Sequence, residues 1–411
     1  MTTLPRPAES ADRLRVLFAY SYSMHYRLGV FRALLDQPGV DVTVAAGRTP
    51  HPSRRSRSRA NADVAPIAPI APADLPALAW HHTIRVGPVR FQPGLLRRSL
   101  SSRYDVVVWD PSIHCATVWL SSAIIRARQQ TLVYWGLGWT VSHGPAKERL
   151  KVAAFRLAHG FATYGSGSAE LAVAAGYPQR RLHVVGNSMI DSPQARAVAA
   201  SPMPPVEPLI LGVALRLTSR KKVDLLLRAV AALDAQGVAA RAIVVGDGPE
   251  LPALQDLAVQ LGVDVDFTGA LYDAGDVAEF YRQIHMTVIP GHAGLTVLAS
   301  LMHGRPVVTH DNPDHHAAEW EAVRDGVSGR FFAEDDLDDL VASIGAVRDQ
   351  VVADPAGLAQ ACRADYLEHG DPDAHAKRIL AAVRAVIAER AHPGNGPPQR
   401  PRVGRGLRAA R

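Results

Sequence analysis

The sequence predicts an α/β protein made of two doubly wound, Rossmann-like domains that face each other across a cleft. Short apolar runs rich in Val and Ile alternate with helical stretches along most of the 411 residues, as in parallel sheets covered on both faces. The length suits two domains better than one. A stretch with four prolines, 201–208, divides the pattern into two halves, as an interdomain linker does.

Strands are predicted where β-branched residues cluster, and helices where apolar residues recur with helical spacing. The predicted strands are 15–20, 41–45, 105–109, 131–135, 161–164 and 182–185 in the first half, and 209–214, 242–245, 265–268, 286–290 and 306–310 in the second. The predicted helices include 28–36, 118–128, 223–236, 251–261 and 373–390.

These elements predict a first domain over 13–200, the linker 201–208 and a second domain over 209–365. Helices over 366–390 are expected to pack back toward the first domain. The tail 391–411 is rich in Pro, Gly and Arg and is expected to be disordered.

The positive charge is concentrated in two segments. Five arginines lie within 48–59 and five within 400–411, with no acidic residue in either segment; without these ten the formal net charge falls from +6 to −4. Such segments attract anionic surfaces such as lipid headgroups, and a solubilising tail is the alternative. Neither segment contains the aromatic residues that stack on bases, which disfavours nucleic acid as a partner.

Cysteine usage and hydropathy indicate the cytoplasm. Cys115 and Cys362 lie far apart in the sequence and form neither a disulfide framework nor a metal motif. No apolar run approaches the ~18 residues that span a bilayer, and residues 1–15 are polar, unlike a signal peptide. The inner face of the membrane stays open as a location because of the two basic segments.

Residues 290–308, with the sequence PGHAGLTVLASLMHGRPVV, carry the strongest functional signal. They predict a strand end, a glycine-bearing loop, a helix and a second strand. Gly294 and Leu295 fall in the first turn of that helix, where free N–H groups and the helix dipole favour an anion. Arg216 and Lys221 lie on another loop that follows a strand. Together these loops predict a clamp for a diphosphate, with a merely solvated basic loop as the alternative.

Four sequence blocks in order make the pattern specific. They are Arg216-Leu217 with Lys221, VVGDGPE at 244–250, FTGA at 267–270, and the 290–308 block. This arrangement resembles the family 4 retaining glycosyltransferases over residues 209 to about 335. Residues 187–191 resemble the family's Asn-Gly-x-Asp signature, and Trp135-Gly136-Leu137-Gly138 resembles the Trp-Gly-His-Gly loop of one bacterial branch.

The resemblance implies a GT-B architecture and a nucleoside diphosphate sugar as donor, with no cofactor and no metal. By the same resemblance, the diphosphate would be held by side chains or backbone amides of Arg216, Lys221, Gly294 and Leu295. Gly269 and Ala270 would lie beside the nucleotide base.

One departure from the family is clear. Most members carry two glutamates separated by seven residues, and the aligned positions here are Gly291 and Ala299. Either this chain belongs to a branch that holds the sugar and ribose differently, or it has lost activity. His292, Thr296 and Ser300 are the nearby polar candidates for contact with the donor sugar and ribose.

Histidines supply the catalytic candidates in the first half, namely His25, His114 and His143. Each follows a predicted strand or strand-end loop, where catalytic residues are common, although each is also compatible with an ordinary surface position. The run from His310 to Glu321 contains His, Asp and Glu, but adjacent His315 and His316 cannot easily face one ion. No metal site is predicted there.

The favoured hypothesis is a glycosyltransferase that moves a sugar, with retention, from a nucleoside diphosphate sugar to an acceptor hydroxyl. A lipid-linked or glycan acceptor in cell-envelope or exopolysaccharide assembly fits the basic segments. Two alternatives remain open: a nucleotide-sugar epimerase or phosphorylase of the same fold, and a non-catalytic nucleotide-sugar binding protein.

Overall fold

A computed structural model of the chain describes residues 13–22, 24–47, 70–87, 89–112, 114–139 and 144–392. Within them the chain forms two parallel sheets with helices on both faces, which confirms the predicted fold class. His143, the arginine-rich segment 48–59 and the basic tail after 392 lie outside the described residues.

The N-terminal sheet runs in the order β3-β2-β1-β6-β7-β8-β9. Its strands are β1 (Leu14–Tyr20), β2 (Val40–Gly47), β3 (Ala79–His81), β6 (Val106–Trp109), β7 (Thr131–Gly136), β8 (Gly160–Thr163) and β9 (Leu182–Val184). Between β3 and β6 lies an antiparallel hairpin of β4 (Ile84–Val86) and β5 (Val89–Phe91). The helices of this part are α1 (Leu28–Leu35), α2 (Pro93–Ser99), α3 (Ala116–Ala127), α4 (Pro145–Phe155), α5 (Ser166–Ala174) and α6 (Pro193–Ala199).

The C-terminal sheet runs in the order β12-β11-β10-β13-β14-β15. Its strands are β10 (Leu209–Ala214), β11 (Ala240–Val245), β12 (Val265–Gly269), β13 (Met286–Ile289), β14 (Val307–His310) and β15 (Gly329–Phe332). Its helices are α7 (Val223–Ala235), α8 (Leu251–Leu261), α9 (Ala274–Gln283), α10 (Leu295–Met302), α11 (Leu337–Ala353) and α12 (Pro355–His369).

The last helix, α13 (Pro372–Ala391), packs on the N-terminal domain. It begins where the side chain of Asp371 accepts from the N–H of Ala374 at 2.9 Å, with Pro372 in the first turn, a strong helix start. Its buried residues Ile379 and Val383 share a core with Phe18 of β1. The apolar stripe of α13 therefore covers one face of the first sheet.

The chain crosses between the domains at other places than the sequence predicts. Ala195 and Val198 of α6 are buried in the two cores of the C-terminal domain, so the crossing precedes 193 and the proline-rich 201–208 lies within the second domain. Residues 366–369 continue α12, and Tyr366 is buried in the C-terminal core. The boundaries at 200 and 365 are therefore corrected, because the apolar faces of these helices fit the second sheet rather than the first.

The two crossings lie side by side. The N–H of Met189 donates to the carbonyl oxygen of Gly370 at 3.0 Å, and the hydroxyl of Tyr366 donates to the carbonyl oxygen of Met189 at 2.8 Å. Asp191 accepts from Arg363 of α12 at 3.0 Å. Among the described residues no helix is both long and apolar enough to cross a membrane.

Candidate active site

The carboxyl ends of the two sheets face each other across a cleft. Loops that follow β8 and β9 contact a loop that follows β14, through Glu321 and Glu319 of that loop. In each sheet the strand order reverses beside the first strand, between β1 and β6 and between β10 and β13. Open parallel sheets bind ligands at such switch points. The loops after these four strands therefore form the candidate site.

Lys221 joins the two switch-point loops of the C-terminal domain. It ends the short 3-10 turn Ser219–Lys221, and its Nζ donates to the carbonyl oxygen of His292 at 2.5 Å. Desolvation, followed by the like charge of Arg220, lowers the pKa of Lys221 to about 8, while Glu319 acts in the opposite direction. The ammonium is therefore charged at neutral pH and poorly solvated, so an anion in the cleft would be bound strongly.

Arg216 lies on the same loop, directly after β10. Its side chain is half-buried, and its Nε is buried without a hydrogen-bond partner, so the guanidinium has donors left for a ligand. The loop is supported by the turn after β11, where an added Cβ on Gly246 would lie 1.8 Å from the carbonyl oxygen of Leu215. Gly246, with φ of +138°, thus serves the close packing of the loop.

Gly294 and Leu295 begin α10 on the neighbouring loop. Gly294 is the N-cap residue, and no side chain caps the helix there, so the first N–H groups are available to an anion. An added Cβ on Gly294 would meet only the Cβ of Ala317, at 3.9 Å. The space in front of the helix start is open, as a bound diphosphate would require.

Gly291 has a different environment from Gly294. Its added Cβ would lie 2.3 Å from the carbonyl oxygen of Arg220 and 2.7 Å from the carbonyl carbon of Lys221. The backbone of the lysine loop therefore occupies the space that a glutamate at 291 would need. Ala299, the second aligned position, is partly buried and packs against the apolar cluster of α9 and β11.

The three polar candidates near these positions differ in what they can do. His292 is half-buried, and burial, with the charges of Lys221 and Arg220, lowers its pKa to about 4; its Nδ1 is buried without a partner. The hydroxyl of Thr296 donates to the carbonyl oxygen of Ala214 at 2.9 Å, which ties α10 to β10. The ring of His292 is therefore neutral at pH 7, and its Nδ1 could still form a hydrogen bond with a ligand, whereas the hydroxyl proton of Thr296 is already donated within the protein.

Ser300 was expected to contact the donor, and the structure contradicts this. It is fully buried, and its hydroxyl donates to the carbonyl oxygen of Arg305 at 2.8 Å and lies within hydrogen-bond distance of the Thr287 hydroxyl, at 2.7 Å. Ser300 lies on the face of α10 that packs on the sheet, one turn beyond Thr296. Its hydroxyl joins α10 to β13 and cannot reach the cleft.

Gly269 ends β12, the edge strand of the sheet, two strands away from β10, and Ala270 follows it. Gly269 has φ of +74°, and its carbonyl oxygen accepts from the N–H of Gly246 at 2.8 Å. Ala270 is exposed. Both residues therefore lie beside the turn that supports the Arg216 loop. They are at the carboxyl end of the sheet, as are Arg216 and Lys221.

The N-terminal candidates lie at the opposite switch point. His25 is exposed in the 3-10 turn His25–Arg27 after β1. His114 is half-buried after β6, and its carbonyl oxygen accepts from the N–H of Arg90 at 2.9 Å. Both positions border the cleft. Leu137, in the Trp135 loop, is 45% exposed, so an apolar side chain stands where the similar Trp-Gly-His-Gly loop has its histidine.

The residues between His310 and Glu321 form a structural cluster. His316 stacks on His310 at 3.8 Å, and its Nδ1 accepts from the N–H of Ala293 at 3.0 Å, so it supports the loop that leads into α10. His315 lies 2.7 Å from a carboxylate oxygen of Glu334. Within the part of the chain that the structure describes, no group of three or more His, Cys, Asp and Glu residues could hold a metal ion.

A buried polar bridge crosses the cleft and was not predicted. The guanidinium of Arg27 is 2% exposed, lies over the rings of Trp135 and Tyr164 at 5.0 and 4.7 Å, and donates to Asn187 at 2.9 Å. Asn187 in turn donates to Glu319 at 2.5 Å. Each residue lay in or beside a motif, but their pairing spans more than a hundred positions and leaves no local sequence signal.

Glu321 makes a second contact between the domains. Its carboxylate accepts from the N–H groups of Ser166 and Gly167 at 3.0 and 3.3 Å, at the N-terminus of α5. Burial raises the pKa of Glu321, and these two hydrogen bonds oppose that change. A carboxylate at a helix N-terminus is stabilised by the free N–H groups and the dipole.

Comparisons with known proteins find relatives of the C-terminal domain. Residues 208–350 match the family described as "Glycosyl transferases group 1". A curated relative, D-inositol 3-phosphate glycosyltransferase of Saccharomonospora viridis, is 34% identical over 159 residues, which cover 31% of this chain and 37% of the relative. The chain thus matches well under half the length of that relative.

Solved structures resemble the chain over both domains. The apo form of the lipopolysaccharide outer core galactosyltransferase WaaB has a TM-score of 0.65 and 14% identity, covering 90% of this chain and 99% of that one. Anabaena Alr3699/HepE, in complex with UDP, has a TM-score of 0.62 and 17% identity, covering 90% and 100%. At these identities the likeness shows the fold, which is GT-B.

Proposed function

We propose, because residues 208–350 match the group 1 glycosyltransferases, that the chain transfers a sugar from a nucleoside diphosphate sugar to an acceptor hydroxyl. The observation that carries the proposal is the meeting of Lys221, Arg216 and the open start of α10 at one switch point. Two cations and free N–H groups at such an edge suit a diphosphate.

The proposed chemistry follows from where charge develops. The bond between the anomeric carbon and the diphosphate oxygen breaks, and the leaving diphosphate gains negative charge. In this proposal Arg216 and Lys221 stabilise that charge more in the transition state than in the ground state. The same two cations supply positive charge without a metal, so we propose metal-independent transfer with no cofactor.

Retention of configuration is part of the proposal. No carboxylate of the 291–300 segment faces the cleft, because Gly291 is packed on backbone and Ala299 has no acidic group. A front-face route needs no enzymatic nucleophile: the acceptor oxygen bonds to the anomeric carbon as the diphosphate leaves, and the acceptor proton passes to the leaving phosphate oxygen. His25 and His114, on the opposite wall, are proposed as acceptor-side contacts.

We propose a glycan or lipid-linked acceptor in cell-envelope or exopolysaccharide assembly, at the cytoplasmic face of the membrane. Two names support this choice: a relative from Mycobacterium tuberculosis is a phosphatidylinositol dimannoside mannosyltransferase, and one structural neighbour is a lipopolysaccharide outer core galactosyltransferase. The UDP of another neighbour supports a nucleotide-linked donor.

Product analysis tests the proposal. Purified protein is incubated with a panel of nucleoside diphosphate sugars and an envelope lipid extract, and released nucleotide and glycosylated product are measured. The expected result is transfer from one donor, with the anomeric configuration of the donor kept in the product by NMR. Epimerised donor or sugar 1-phosphate as the product would instead indicate an epimerase or a phosphorylase.

A non-catalytic nucleotide-sugar binding protein is the second candidate. The packing of Gly291 favours it, since the backbone of residues 220–221 excludes the family's first glutamate. In that case the protein would bind one nucleotide tightly and release no sugar with any donor or acceptor. Turnover above that of the Lys221→Ala variant would contradict this candidate.

A further inference from the structure

The stretch 75–104 of the N-terminal domain has an unusual charge composition. It contains five arginines and no acidic residue. The stretch is contiguous in space: Arg98 donates from Nε to His81 at the end of β3 and from Nη1 to the hydroxyl of Tyr104, both at 3.2 Å. Arg85, Arg97 and Arg103 are exposed. This part of the surface is therefore positive.

The hairpin of β4 and β5 within this stretch has the reverse of the usual pattern. Its register pairs Ile84 with Phe91, and Val86 with Val89, so these four apolar residues share one face. Three of the four are turned outward: Ile84, Val86 and Val89 are 45%, 75% and 45% exposed, whereas Phe91 is half-buried. We call these three residues the hairpin face.

The other side of the hairpin carries Arg85 and Arg90, of which Arg85 is exposed and Arg90 is turned inward. Arg90 is only 4% exposed, donates from Nη2 to the hydroxyl of Ser112 at 2.7 Å, and forms a backbone bridge with Cys115. These contacts fix which side of the ribbon faces the body of the domain. The exposure of the apolar side is thus imposed by the fold rather than by a free choice of side-chain rotamers.

The hairpin lies at the edge of the sheet that borders the cleft. Gln92, directly after β5, donates to the carbonyl oxygen of Ser21 at the end of β1, at 2.8 Å. Ser112, the partner of Arg90, follows β6. Both strands flank the switch point of the N-terminal sheet, so a surface that meets the hairpin also meets the acceptor side of the cleft.

We propose that the hairpin face, with the exposed arginines of the same stretch, docks the chain on an anionic lipid bilayer. Exposed apolar residues next to basic ones match the interface between headgroups and acyl chains, where both kinds of group are stabilised. Docking of this face presents a lipid-linked acceptor to the cleft from the bilayer side. The inference rests on the proposed function for its purpose, and on the hairpin alone for its geometry.

Vesicle co-sedimentation of the full chain tests the docking surface. Vesicles of phosphatidylcholine alone are compared with vesicles that contain 30 mol% phosphatidylglycerol. Wild type is expected to bind the anionic vesicles and to be released by high salt. Because two aliphatic side chains lose their membrane contact, the Ile84→Ser/Val86→Ser variant is expected to bind roughly tenfold more weakly, and Arg97→Gln about fivefold more weakly.

Val259→Ser and Val352→Ser are the matched controls, since both valines are more than 60% exposed but lie on α8 and α11 of the other domain. They are expected to bind vesicles like wild type. Binding of vesicles by the hairpin variant as strongly as by wild type would overturn the proposal. The proposal would also fail if binding were lost only on neutralising the arginines of 48–59. A concentration-dependent dimer that the hairpin variant abolishes would assign the face to a second copy instead.

Donor hydrolysis in the absence of vesicles separates this inference from the proposed function. If the chain hydrolyses the donor but does not bind anionic vesicles, the docking surface is contradicted and the proposed function is not. If the chain binds vesicles through the hairpin but releases no sugar from any donor, the proposed function is contradicted and the docking surface is not.

Discussion

At the scale of single residues, the pKa of Lys221 determines how donor binding depends on pH. Desolvation lowers this pKa to about 8, so the charged form that binds a diphosphate is lost as pH rises through 8. Affinity for the nucleoside diphosphate is expected to fall about tenfold per pH unit above that value. Calorimetry between pH 7 and 9.5 measures this.

The Lys221→Arg variant is the control for that titration. Its guanidinium stays charged throughout the range, so the alkaline loss of affinity is expected to disappear. An unchanged alkaline loss in this variant would assign the titration to another group.

Substitution of two glycines only three residues apart is expected to have different effects, one on nucleotide affinity and the other on stability. Gly294→Ala adds a methyl group where the nearest atom is 3.9 Å away, so the free energy of unfolding is expected to change by less than about 1 kcal/mol while nucleotide affinity falls at least tenfold. Gly291→Ala adds a methyl group 2.3 Å from a carbonyl oxygen, and is expected to lower the free energy of unfolding by about 1–3 kcal/mol. Urea unfolding and calorimetry on both variants check the pair.

At the scale of elements, the bridge of Arg27, Asn187 and Glu319 joins the two domains through buried groups. Glu319→Ala leaves the amide of Asn187 without its acceptor, so the free energy of unfolding is expected to fall by about 1–3 kcal/mol. Glu319→Gln retains an acceptor oxygen and is expected to lose less. Glu368→Ala, at a 73% exposed side chain in the same region, is the control. Equal losses for Glu319→Ala and Glu368→Ala would contradict the bridge.

The elements also show which parts of the fold the sequence could predict. The strands after 105 and after 209 were predicted because buried parallel strands are continuous apolar runs, and α10 because glycine precedes a helical pattern. The place of α6 was not predictable, since its apolar face could fit either sheet. The β4–β5 hairpin was missed because its apolar residues face outward and the runs are only three residues long.

In the candidate site, too, local sequence pattern indicates the position of some residues, while the position of others depends on tertiary packing. Arg216, Lys221 and Gly294 lie next to strand ends, where local pattern locates them. The prediction that Ser300 contacts the donor was wrong, because the face of α10 on which it lies packs on the sheet. The spacing of residues in the sequence alone did not decide which face that would be. The role of Gly291 as a packing glycine depends on a backbone seventy positions away in the chain, and no local signal carries that information.

At the scale of the whole molecule, the contact of Glu321 with α5 holds the domains together on one side of the cleft. Glu321→Ala removes the acceptor of the N–H groups of Ser166 and Gly167. Hydrogen exchange at these two amides is expected to become at least tenfold faster, because their protection then depends on the helix end alone. Unchanged exchange would show that this contact does not hold the cleft.

The central claim is a diphosphate site at the switch point of the C-terminal sheet, and nucleotide titration tests it most directly. UDP, GDP, dTDP and ADP are titrated by calorimetry into wild type, Arg216→Ala, Lys221→Ala and the control Lys222→Gln, whose ammonium is already paired with Glu334 and Asp335 at 2.8 and 2.6 Å. We expect one nucleotide to bind tightly, at least tenfold more weakly in both clamp variants and unchanged in the control. Binding of none of the four, or equal binding by all four proteins, would contradict the account.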